Sequence, residues 1–150
     1  RYFMFAEFFK RLTGPAETPV TDEDARLAIG ALLVRIAKAD GNYRPEEIAR
    51  IDRILAKRYD LDVVSAAKLR AKCEHIEHDA PDTVRFTRVI KDVVPYEERA
   101  AVISAFWEIV LADGVRRPEE DSLLRMVAPM LGVTDLESGV LRQEVEARNA

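Results

Sequence analysis

The chain has 150 residues, the size of one domain, and is 48% hydrophobic, enough to bury a core. Its formal net charge is -4, and from Pro95 onward eleven acidic residues stand against six basic ones, a net of -5. An acidic C-terminal third argues against nucleic acid, whose phosphates need basic patches, and suits a cation or a basic partner. The single cysteine, Cys73, excludes an internal disulfide and fits a reducing, cytoplasmic setting. No apolar run approaches the roughly 20 residues of a membrane span, and Glu7 and Lys10 interrupt the first apolar stretch where a signal peptide would need continuity.

Ala, Leu, Glu, Lys and Arg dominate, and alternating runs of Val, Ile and Thr are absent, so the expected class is all-α. "MFAEFFKRLTG" spaces Phe5, Phe8, Phe9 and Leu12 along one helical face, and Gly14 ends it. Residues 1–20 therefore read as an N-terminal helix and a Pro-containing linker, with Met4 a natural start and residues 1–3 an addition before it. The aromatic face is expected to dock on the domain or on a second copy of the chain. Membrane association through residues 4–12 is the weaker alternative, because Lys10 and Arg11 are its only basic residues.

Residues 21–150 read as the main domain. Thr21 is a good N-cap with Asp24 at the third helical position of a capping box, and the helix it opens runs to Gly41. Pro45 opens the next, with Ile48, Ile51, Ile54 and Leu55 on one face. Further helices are expected over Asp62–His78 and Pro81–Val94. The pattern then restarts: a shift of 113 − 40 = 73 positions superposes Asp40 on Asp113, Ile36 on Ile109, Arg44 on Arg117, Ile51 on Leu124 and Asp62 on Asp135. The expectation is a compact bundle of seven to eight helices with an internal pseudo-two-fold repeat of three helices.

The shift makes "ADGNYRPEE" and "ADGVRRPEE" equivalent joints. Gly41 and Gly114 stop one helix, and Pro45 and Pro118 start the next. Glu46, Glu47, Glu119 and Glu120 lie in first turns, where the helix dipole favours negative charge. Glu47 and Glu120 can reach back to the amide of the cap residue, but that residue is Arg44 or Arg117, which has no side-chain acceptor. Asp40 and Asp113 near a helix C-terminus are disfavoured by about 0.3–1 kcal/mol. Three offsets are open: bonds from the amides of the next helix, pairing with Arg44 and Arg117, or a cation. An EF-hand is excluded, because its first and third ligands would be Ile36 and Lys38, or Ile109 and Leu111.

With both joints in view, residues 21–148 resemble the TerB-like tellurite-resistance family, whose joints pair Asp-Gly with Pro-Glu-Glu. The resemblance implies an all-helical bacterial stress-response module, with relatives among co-chaperones. It also implies an acidic surface proposed to bind a divalent metal ion (Ca, Mg, Mn or Zn) through Asp40, Glu46, Glu47, Asp113, Glu119 and Glu120. Arg44 and Arg117 depart from the family's Ser-containing joint and would weaken such a site. The alternative is a non-enzymatic interaction module whose acidic face recruits a partner protein. Homo-oligomerisation is compatible with either.

Two further clusters read as structural. Cys73, Glu74, His75 and His78 have ligand chemistry, but no other His or Cys completes a zinc site. Phe86, Phe106 and Trp107 read as core. No nucleophile–base–acid set, phosphate loop or nucleotide fingerprint appears, so an enzyme is not expected.

Overall fold

The computed structural model describes Phe8, Lys10 and residues 19–80 and 82–149; most of the expected N-terminal helix and linker lies outside these residues. Among the described residues from Asp22 onward there are seven helices and no strand. They are α1 (Asp22–Ala37), α2 (Pro45–Tyr59), α3 (Val63–Asp79), α4 (Thr83–Val93), α5 (Tyr96–Val110), α6 (Pro118–Met130) and α7 (Asp135–Asn149).

α1 begins as expected. Thr21 Oγ1 accepts from the Asp24 amide at 3.1 Å, and Asp24 Oδ2 accepts from the Thr21 amide at 2.9 Å. From Leu27 to Val34 every residue of α1 is buried, because the helix is apolar around its whole circumference. α1 packs against α2, α3, α4, α5 and α6, and α5, its equivalent in the repeat, packs against α1, α2, α6 and α7. The two apolar helices form the centre, and the amphipathic ones surround them. Phe8 is fully buried in the same core, so this aromatic docks on the domain.

Side chains tie the outer helices to the centre. Arg35 of α1 donates from Nε to Glu77 Oε2 at 3.1 Å, and Lys38 donates to Glu77 Oε1 at 2.8 Å, which clamps the end of α3. Trp107 of α5 donates to Ser138 Oγ of α7 at 3.0 Å inside the core. Arg99 donates to the carbonyls of Lys91 and Val94, both at 3.0 Å, and so closes the exposed end of α4.

Cys73 is core rather than ligand. Its thiol is buried and lies 3.7 Å from the Leu27 carbonyl, while His75 pairs with Asp79 at 3.4 Å. Burial pushes the thiol pKa far above its ordinary range. A Cβ added at Gly30 would collide with Cys73 Sγ, so α1 and α3 approach through the glycine. Gly30→Ala should destabilise the fold by about 1–3 kcal/mol through overpacking, and Gly30→Ala with Cys73→Ala should recover most of that loss. Chemical denaturation of the two variants measures both.

Candidate functional site

Each joint folds by the same local rules. Gly41 and Gly114 take φ values of 86° and 79°, which a side chain would strain. The Gly41 amide donates to Lys38 O at 2.9 Å and the Gly114 amide to Leu111 O at 3.1 Å. Asp40 Oδ1 accepts from the Asn42 amide at 3.0 Å, and Asp113 Oδ1 from the Val115 amide at 3.1 Å. Each Asp thus closes a turn of its own and does not cap the following helix. α1 ends at Ala37 and α5 at Val110, so both Asp residues also lie beyond the last helical turn. The expected dipole penalty is correspondingly relieved.

The joints differ in their attachments. Tyr43 donates to Glu74 Oε2 at 2.6 Å, and Arg70 holds both Glu74 (3.0 Å) and Asp52 (2.6 Å), binding the first joint to α3. The second joint has Arg116 at that place; it pairs with Asp121 at 2.8 Å and lies over the Trp107 ring at 5.6 Å.

The packing of α1 against α5 brings both joints to one place. Arg117 bonds Asp113 of its own joint at 2.7 Å and reaches Asp40 of the other at 3.3 Å. Arg44 pairs with Asp40 at 2.9 Å and lies 3.8 Å from both Glu47 and Glu120. Of the six expected acids, Asp40, Glu47, Asp113 and Glu120 therefore share one network. Glu46 and Glu119 are exposed on the first turns of α2 and α6. Pairing with the arginines is the offset realised, and each arginine also crosses between the joints.

Glu47 and Glu120 are the least expected members, 1% and 0% exposed and in contact with each other. Glu47 Oε1 accepts from the Arg44 amide at 3.1 Å. Among the described residues Glu47 Oε2 and both oxygens of Glu120 have no hydrogen-bond donor, and Arg44 Nη1 stands 3.8 Å from Glu120 Oε2. Burial and the neighbouring carboxylates favour a proton on Glu120, against the opposing pull of Arg117. Burial, then the bond to Glu47 and its charge, push the Glu120 pKa up to about 9.

The aspartates shift the other way. Burial alone would raise Asp40, but the Asn42 amide and the Arg44 and Arg117 guanidiniums outweigh it and hold Asp40 below its ordinary value. Arg117 chiefly, with the Val115 amide, does the same for Asp113. Among the described residues no three His, Cys, Asp or Glu side chains converge as a group that could hold a metal ion. The Arg44 and Arg117 guanidiniums pair with Asp40 and Asp113 there. The signal in the sequence was the 73-position shift (120 − 47), which places Glu47 and Glu120 at matching positions of two similar joints.

A raised carboxyl pKa contributes stability that is full below the unfolded value of 4.5 and is lost as pH rises towards about 9. The depressed Asp40 and Asp113 contribute above their ordinary 3.8 and lose that contribution as pH falls below it. The melting temperature should therefore fall between pH 6 and pH 9. A loss of about 2 kcal/mol corresponds to roughly 4–8 °C for a chain of this size. Glu120→Gln should flatten that slope and raise the melting temperature at pH 9 above that of the unmodified chain.

No curated protein and no solved structure matches the chain. The family model of Tellurite resistance protein TerB matches residues 26–143, a span that holds both joints, the carboxyl pair and all of α2 to α6. With that match over most of its length, the chain belongs to the TerB family.

Proposed function

We propose that this TerB-family chain is a non-enzymatic stress-response module that takes up a divalent cation weakly at the joined helix joints. The observation that carries the reading is the set of three carboxylate oxygens, Glu47 Oε2 and Glu120 Oε1 and Oε2, buried without a donor. A hard cation suits such oxygens, and it would replace the Glu120 proton and let both carboxylates stay ionised. Glu47 and Glu120 are the ligands the site offers. Asp40 and Asp113 are already held by Arg44 and Arg117, so the coordination is incomplete and the affinity low. Because the cation displaces a proton, binding should strengthen as pH rises.

The exposed Glu46 and Glu119 favour a second reading, an acidic face that recruits a basic segment of a partner protein. Titration with Ca²⁺, Mg²⁺, Mn²⁺ and Zn²⁺, followed by amide NMR at pH 6 and pH 8, separates the two. Cation binding should shift the Gly41 and Gly114 amides with at least one metal, more strongly at pH 8, and Glu120→Gln should weaken the response roughly ten-fold. No movement of either glycine with any metal sinks the cation reading. A salt-sensitive interaction lost on Glu46→Ala with Glu119→Ala would then favour the acidic face.

A further inference from the structure

The side of α2 away from the joints has the opposite charge. Arg50, Arg53, Ile54, Lys57 and Arg58 recur at helical spacing and form one wall of a groove of about 660 Å³. Ala101 and Ala105 of α5 form its floor, and Glu108 and Asn149 close one end. Four cations thus stand against one carboxylate.

That carboxylate is shared and distant. Glu108 lies 3.9 Å from Arg50 and 3.8 Å from Arg148. Arg50 Nε is buried and has no acceptor among the described residues. Arg53 and Lys57 are exposed and enter no ion pair among those given by the described residues. Arg58 donates only to the Tyr59 hydroxyl, at 3.3 Å, a neutral partner. The wall therefore carries guanidinium and ammonium donors that the domain leaves largely unneutralised.

The floor limits what can approach. Two alanines one turn apart let another backbone come close, and Ile54 adds an apolar strip beside them. A row of cations along one edge of a small-residue trough is complementary to a helix with acidic residues at i, i+3 and i+7 flanking an apolar strip. Residues 1–18 of this chain do not have that chemistry, since Arg1, Lys10 and Arg11 outnumber Glu7 and Glu17.

We infer that the groove between α2 and α5 docks an acidic amphipathic helix of a partner protein. The surface is separate from the joint carboxylates, so this inference and the cation reading stand or fall independently. It also reverses the sign of the partner expected from net charge, because the local field of α2 is basic where the chain as a whole is acidic.

The test uses the full chain and a fluorescein-labelled helical peptide with glutamates on one flank and leucine and alanine on the other. The controls are the same peptide with lysine for glutamate and a labelled single-stranded DNA of matching charge. The expected result is saturable anisotropy with the acidic peptide alone, weakened by added salt, with amide shifts at Ile54, Ala101 and Ala105. Arg53→Glu with Lys57→Glu should weaken binding roughly ten-fold or more. Ala101→Trp, an exposed change that fills the trough, should weaken it independently, and unchanged melting of both variants shows that the fold is intact. No binding up to about 1 mM peptide, or binding equal in the charge-reversed variant, overturns the proposal. Tighter binding of the DNA with the same shifts overturns it in favour of nucleic acid. Sedimentation of the unmodified chain as a dimer that both variants break overturns it in favour of a second copy.

Discussion

A helix that is apolar on every side must be covered on every side, as α1 is from Leu27 to Val34, and the rest of this molecule follows from that. α1 has no polar face to present along that stretch, so it packs against α5 and takes the other helices as its cover, while α5 keeps one side open along Ala101, Ser104 and Glu108. Each hands over to its cover through a joint of the same composition. Because the central helices lie together, the two joints come together as well. Acids that would be ordinary helix-end residues on separate helices become neighbours, and two of them lose contact with water.

That juxtaposition explains the arginines. A buried acid cluster without compensation would cost more than a small domain can spare. Arg44 and Arg117 occupy the cap positions, where their side chains make no capping bond, and from there each spans both joints. The arrangement is not a set of independent ion pairs. Arg44 lies among three carboxylates, and its Nη1 forms no well-aligned hydrogen bond with any of them. It acts as a centred charge rather than as a fork on one partner. Burial and the remaining carboxylate charge raise the Glu120 pKa, so this acid holds its proton more tightly than an exposed glutamate.

The domain thus separates part of its charge by place. Acids gather where the two halves meet and are consumed mainly by internal arginines. Cations gather along the outer side of α2 and remain largely unspent. Net charge, which sums the two, describes neither surface, and the sign of a partner has to be read from the local field.

Much of the fold was legible in the chain. Composition and helical spacing pointed to an all-α domain; the Thr21 capping box, Gly41, Gly114, Pro45 and Pro118 marked element ends within a residue or a few; the 73-position shift (113 − 40) identified the two joints as equivalent. These are local properties, set by backbone freedom, capping and periodicity over a few residues. The site was only half legible. The sequence identified the acids and the misplaced arginines, and left open whether helix amides, those arginines or a cation offset Asp40 and Asp113. That Arg117 reaches Asp40, that Glu47 meets Glu120, and that Glu46 and Glu119 stay outside depends on how α1 packs on α5. The basic groove likewise exists only because α5 places two alanines beside the outer face of α2. Charge and chemistry belong to residues and can be read in order, whereas proximity between residues 73 apart is decided only when the core closes.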